Sequence, residues 1–183
     1  ILVRAIYQTR EFEERFLKVG IGYRVIGGTK FYERAEIKDA VSYLRIINQK
    51  YDDLALERTL GVPRKGIGES TINQMYLYAS KNKLCLEDSI IKLLELDSFK
   101  PKIKTSLNQF LNMLNKWRKD LKTNKHYDLL KLVLDESGYS ELLKNKKDPD
   151  NENRLENIKE LLRAMRDYDN LQSFLEHVAL ATS

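Results

Sequence analysis

The sequence predicts a mainly α-helical chain, preceded by a short strand–helix–strand piece of α/β character. Three observations predict it. After residue 30, apolar residues recur at i, i+3, i+4 and i+7 in stretch after stretch, the rhythm of amphipathic helices. Before residue 30, two short β-branched runs flank one helical pattern. Hydrophobic residues make up 42% of the 183 and charged residues 32%, which is enough apolar material for a packed core. The length suits one domain, or one domain with a fragment of another.

The elements follow in order. "ILVRAIY", residues 1–7, reads as a buried strand. "QTREFEERFLKVG" then sets Phe12, Phe16 and Leu17 at helical spacing and stops at Gly20, placed as a C′ glycine. "IGYRVIGG", residues 21–28, reads as a second strand closed by Gly27 and Gly28. From Lys30 the pattern changes. "AEIKDAVSYLRIINQ" carries Ile37, Ala40, Val41, Leu44 and Ile47 on one helical face. "DDLALERTLG" is a shorter helix with Asp52 as its cap. "ESTINQMYLYASKNK", "CLEDSIIKLLEL" and a long helix over roughly residues 100–122 come next. "YDLLKLVLDESG" and "SGYSELLK" follow, then the polar break "NKKDPDNEN" with Pro149. "RLENIKELLRAMRDY" and "LQSFLEHVAL" close the chain as helices, and there are no internal repeats.

Composition excludes several classes. A single cysteine, Cys85, rules out an internal disulfide and points to a reducing compartment, the cytoplasm. Two distant histidines without a cysteine cluster suggest no metal site. No apolar run approaches the ~20 residues that span a bilayer, so no membrane partner is expected. Residue 1 is Ile within an apolar run rather than Met, so the chain is expected to begin inside a larger protein. "EFEE" and "DPDNEN" read as solvated acidic faces, Cys85 as a small core residue, Trp117 as core, and His126 and His177 as surface or capping residues. The net charge of +5 is mildly basic and does not by itself imply nucleic acid.

"VPRKGIGEST", residues 62–71, lies between two predicted helices. Gly66 and Gly68 can take positive φ and lack Cβ atoms, so another molecule can approach the backbone. The amides of Ile67 through Ser70 would then face outward just before a helix that starts near Ser70. Such uncapped N–H groups attract anions. Arg64 and Lys65 add charge, and Ser70 or Thr71 can cap the helix or donate to a phosphate oxygen. This is a helix-hairpin-helix-like GxG turn, suited to holding a nucleic-acid backbone without reading bases. The plain alternative is a tight turn with Ser70 as an ordinary N-cap. The spacing is not that of the nucleotide-hydrolase phosphate loop, which needs four residues between its glycines and a Lys after the second.

Two longer strings bear on the choice. "ILVRAIYQTREFEERFL", followed by "YRVIGGTKFYERAEIKDAVSYLRII", resembles superfamily 1A DNA helicases of the UvrD, PcrA and Rep type. "VPRKGIG" follows at the family's spacing, and "SGYSELLK" and "RLENIKELL" also resemble family segments, so the likeness covers essentially the whole chain. The resemblance implies an ATP-driven parent enzyme that moves 3′ to 5′ along one DNA strand. Residues 1–28 would be a segment of the second RecA-like motor domain. Residues 29–183 would be the helical accessory, duplex-binding subdomain inserted in it. Arg64, Lys65, Gly66, Ile67, Gly68, Ser70 and Thr71 match the segment that grips duplex ahead of the fork. Arg4, Gln8 and Arg10 match the motif near the single strand, where arginine suits phosphate and base stacking. The alternative for Arg10 is a pair with Glu13 or Glu14 on its own helix. Arg34, Glu36 and Lys38 match the third string, as hinge, duplex contact or structural ion pairs. The chain departs from the family at Val3 and Ile6, where many relatives carry Tyr and Asn.

No phosphate loop, metal-binding Asp-Glu pair or catalytic carboxylate pair is recognisable, so no catalytic residue and no cofactor is expected in this chain. ATP and Mg²⁺ are expected for the parent, and the chain alone is not expected to hydrolyse ATP. Over residues 100–125, Lys100, Lys102, Lys104, Lys116, Arg118, Lys119, Lys122 and Lys125 face only Asp120. That helix is either a second duplex-facing surface or a solubilising one. The expected partners are a DNA duplex at a single-strand junction, and repair or replication proteins. The competing reading is a helical protein-interaction module of a repair or recombination helicase, or of a helicase–nuclease.

Overall fold

The computed structural model describes residues 1–23, 25, 30–145 and 147–183. Among them it has ten α-helices, two 3-10 turns and no strand. The chain divides into two compact units, residues 42–124 and residues 1–41 with 125–183, and the dividing line falls inside helix α2, Ala35–Asn48. The expected boundary after residue 28, and half of the second expected strand, lie outside the described residues, and the described half (21–23 and 25) forms no strand.

The first expected strand is replaced. Residues 1–5 form no ladder, Ile6–Gln8 is a 3-10 turn, and Leu2 stands fully exposed. A strand is stable only when another takes up its N–H and C=O groups. No such neighbour exists among the described residues. The turn satisfies part of the need locally, since the Gln8 side-chain oxygen accepts from the amides of Arg4 (3.0 Å) and Ala5 (3.2 Å).

The unit of residues 42–124 holds the end of α2, α3 (Asp53–Gly61), α4 (Glu69–Asn82), α5 (Leu86–Glu95) and α6 (Pro101–Asp120). Asp52 caps α3 as expected, its carboxylate accepting from the Ala55 amide at 3.1 Å. Ser89 donates to the Met75 carbonyl at 2.7 Å and so ties α5 to α4. The Leu86 amide donates to Asp53 at 2.9 Å and ties α5 to α3. Trp117 of α6 is wholly buried, edge-on to Tyr43 of α2 with centroids 5.8 Å apart. Arg118 grips Glu87 with two hydrogen bonds (2.6 and 2.9 Å) and donates to the Ile46 carbonyl at 2.7 Å.

The other unit holds α1 (Thr9–Lys18), the 3-10 turn Phe31–Glu33, the start of α2, α7 (His126–Glu136), α8 (Tyr139–Leu143), α9 (Asn151–Met165) and α10 (Leu171–Ala181). Helix α1 ends as predicted. Gly20 takes φ +71°, its amide reaches the Leu17 carbonyl, and the Ile21 amide reaches Phe16, the double closure of a Schellman motif.

Two expectations are corrected here. "EFEE" is not a solvated face, because Glu13 and Glu14 are both buried. Glu13 accepts from the Phe31 amide and the Thr9 hydroxyl, and Glu14 from the Tyr32 hydroxyl at 2.7 Å. Burial raises the Glu13 pKa above the ordinary carboxylate value, against its hydrogen bonds. Burial pushes Glu14 the same way, but His177, Tyr32 and Arg10 outweigh it and hold Glu14 below its usual value. His126 is likewise no surface residue. It is 4% exposed, with Nε2 2.6 Å from the Met165 carbonyl, and so links α7 to α9.

Candidate nucleic-acid interface

The bend between α3 and α4 is built from backbone geometry. Val62 leaves α3 in an extended conformation, and Gly66 turns the chain with φ +74°, a region costly for residues with a Cβ. Gly68 is the N-cap of α4, with φ −89° and ψ 177°. The helix therefore starts at Glu69, one residue before expectation. Ser70 sits exposed at its second position, and Thr71 is buried at its third.

Glycine at the N-cap brings no side-chain oxygen to the first turn. The first α4 amide to find an intrahelical acceptor is that of Ile72, on the Gly68 carbonyl at 3.1 Å. Among the described residues, no acceptor takes the amides of Gly66, Ile67, Gly68, Glu69, Ser70 or Thr71. A Cβ built on Gly66 or Gly68 would meet nothing within 4 Å. At Gly68 the dihedrals suit any residue, so nothing inside the chain requires glycine there. The missing side chain leaves open space at Gly68, within a run of unpartnered N–H groups. Arg64 stands exposed beside this opening and Ile67 is half-buried.

Lys65 behaves differently from Arg64. Its ammonium turns inward and donates to the Thr59 carbonyl, the Pro63 carbonyl at 2.9 Å and the Tyr43 hydroxyl at 3.2 Å. It also lies 5.7 Å from the Tyr43 ring centre and 5.4 Å from that of Phe110. Burial pushes its pKa down to about 8. An unfolded lysine titrates near ~10.4, so between the two values the unfolded chain binds the extra proton and stability rises with pH. Below about 8 both states are charged and the difference is flat. The wild-type chain is expected to gain on the order of 1–3 kcal/mol relative to Lys65→Met between pH 7.5 and 10, the lower end reflecting partial solvent screening. Urea melts across that range check it, and a difference independent of pH counts against a buried ammonium.

The other predicted contacts lie apart in the sequence and separate in kind. Arg4 is exposed, and Gln8 spends its carbonyl oxygen on the turn. Arg10 is buried, its Nε 2.6 Å from Glu160 and its Nη1 2.7 Å from Glu14, so the intramolecular pair weighed for it is present. Arg34 and Glu36 are buried, Glu36 accepting from Asn157 at 2.6 Å, and Lys38 is exposed. On α6 and in the turns that flank it the cations do not stand alone as the sequence suggested. Lys104 pairs with Asp97, Lys116 with Asp120 and Arg118 with Glu87, while Lys100, Lys102, Lys119, Lys122 and Lys125 remain exposed. Tyr43 is the participant that sequence reasoning missed. Its position on the apolar face of α2 signals only burial, and its hydroxyl donates to the Val62 carbonyl at 2.7 Å. Among the described residues no cluster of side chains suits a metal ion, and no helix is long and apolar enough to cross a membrane.

Residues 1–183 match the family described as the UvrD-like helicase C-terminal domain. The chain is 39% identical over 180 residues to the DNA helicase II of Rickettsia typhi, covering 98% of this chain and 27% of that protein. It is 37% identical over 180 residues to a probable DNA helicase II homolog of Rickettsia felis, covering 98% and 28%. It is 34% identical over 169 residues to the ATP-dependent DNA helicase PcrA of Staphylococcus epidermidis, covering 92% and 23%. The chain spans about a quarter of the length of these curated relatives.

Proposed function

This chain belongs to the family of UvrD-like helicase C-terminal domains, and from that premise we propose that it is a DNA-binding and regulatory part of an ATP-dependent 3′-to-5′ DNA helicase. Residues 1–28 are a segment of the motor domain and residues 29–183 the accessory subdomain that holds duplex. ATP and Mg²⁺ act in the parent enzyme, outside this chain.

One observation carries the reading. The amides from Gly66 to Thr71 have no partner among the described residues, a Cβ at Gly66 or Gly68 would meet nothing within 4 Å, and Arg64 and Ser70 beside them are exposed. A phosphate meets backbone N–H groups at a helix N-terminus, a nearby cation and a hydroxyl, and none of these reads a base. The grip is therefore indifferent to sequence, as a motor that travels along DNA requires. Arg4 serves the single strand, and Gln8 holds the turn that presents it. Arg10 contributes by fixing α1 through its buried ion pairs.

A second reading, a protein-interaction module, draws on the exposed lysines of α6, which would suit an acidic protein surface. A duplex with a 3′ single-stranded tail distinguishes the two at low salt. Arg64→Glu is expected to weaken binding on the order of tenfold or more, while Lys116→Glu/Lys119→Glu changes it less than threefold. Equal losses from both variants would place α6 on the duplex as well. No binding by the wild type favours the protein partner.

A further inference from the structure

We infer that Lys65, together with Tyr43, is a positioning residue of the duplex grip: its ammonium clamps the inner carbonyls of the bend so that the outer amides stay open, and it makes no phosphate contact itself. The inference rests on the proposed duplex-binding role of the Gly66–Gly68 bend and deepens it.

The geometry divides the bend into two sides. On the inner side, Lys65 Nζ takes the carbonyls of Thr59 and Pro63, and the Tyr43 hydroxyl takes that of Val62. These are the last-turn and exit carbonyls of α3, which have no helical amide ahead of them. The ammonium brings three donors to these carbonyls, and the negative end of the α3 dipole offsets part of the cost of burying its charge. Tyr43 is itself fully buried and edge-on to Trp117. Lys65 also bonds the Tyr43 hydroxyl at 3.2 Å, so the two side chains form one unit. On the outer side, the amides of Gly66 through Thr71 have no acceptor within the described chain. With its inner carbonyls fixed, the segment cannot roll those amides inward to satisfy itself. Two adjacent cations of one motif thus divide the work: Arg64 faces the anion, and Lys65 orders the backbone that holds it.

The test uses the 183-residue chain, a fluorescent duplex with a 3′ tail, and the variants Lys65→Met, Tyr43→Phe and Arg64→Met. Affinity is measured from low to moderate salt. A phosphate contact contributes about one unit to the slope of log K against log salt, and a positioning residue contributes none. Arg64→Met is expected to lower the slope by about one. Lys65→Met and Tyr43→Phe are expected to weaken binding about tenfold and a few-fold, with the slope unchanged. Backbone order parameters of Gly66, Ile67 and Gly68 in the free protein are expected to fall from about 0.85 to below about 0.6 in Lys65→Met, while those of the surrounding helices hold. A slope that drops by about one in Lys65→Met, or a bend equally ordered without the ammonium, overturns the inference. Absence of duplex binding by the wild type would remove the duplex reading, and the order parameters would still decide whether Lys65 orders the bend.

Discussion

Arg10→Met is expected to destabilise its unit by about 3–5 kcal/mol, the cost of stranding buried charge after one partner of an ion pair is removed. Arg10 lies between Glu14 and Glu160, and all three are buried. Methionine keeps most of the volume and withdraws every Arg10 donor, which leaves the Glu160 carboxylate with Arg163 and that of Glu14 with the Tyr32 hydroxyl in a poorly solvated site. The deficit has a pH signature. In the wild type Glu14 is held below its ordinary range, with Arg10 among the causes. Without Arg10 one of the causes that hold the Glu14 carboxyl down is gone, so its folded-state pKa rises and the stability it contributes above the unfolded value near ~4.3 shrinks. The gap between wild type and variant is therefore largest near pH 7 and narrows as pH falls through the carboxylate range. Urea denaturation at pH 7.5 and 5 reads both effects, and Arg10→Met/Glu160→Gln is expected to recover part of the loss. A change below about 1 kcal/mol at pH 7.5 would mean that solvent reaches the pair.

Gly68→Val is expected to leave folding intact and to reduce duplex affinity on the order of 10- to 100-fold, the loss of one or two charge-assisted hydrogen bonds. The two effects separate because of the local geometry. A Cβ at Gly68 meets nothing within 4 Å, and φ −89° with ψ 177° is comfortable for valine. Helix α4 loses only a modest N-cap preference. The new methyl groups occupy the space through which a phosphate would reach the amides. Gly66→Val would be a poorer test, since φ +74° makes it strain the bend itself. A thermal melt with a tailed-duplex titration on Gly68→Val checks the prediction, and unchanged affinity in a folded variant contradicts it.

Much of the helical architecture was legible because its signals are local. Ile37, Val41 and Leu44 recur on one face, Asp52 sits one residue before α3, and Gly20 sits where a left-handed residue is needed. The open side of the bend was legible for the same reason, since two glycines flank one residue at a helix start. What depended on distant partners was not. Arg10 and Glu160 are 150 positions apart, so "EFEE" read as solvated acid. Lys65 beside a two-glycine bend read as an outward cation, and its inward turn is made with Tyr43, which periodicity marks only as apolar. The first strand pattern was sound in composition, but strand formation is decided by a partner that residues 1–7 do not have among the described residues.

The most direct measurement is an amide chemical-shift titration of the chain with a 3′-tailed duplex, read residue by residue. The account predicts that the amides of Gly66, Ile67, Gly68, Glu69 and Ser70 shift downfield together, saturably, and in the same way for two unrelated duplex sequences. Shifts confined to the lysines of α6, or a bend that stays unperturbed at saturating DNA, would contradict it.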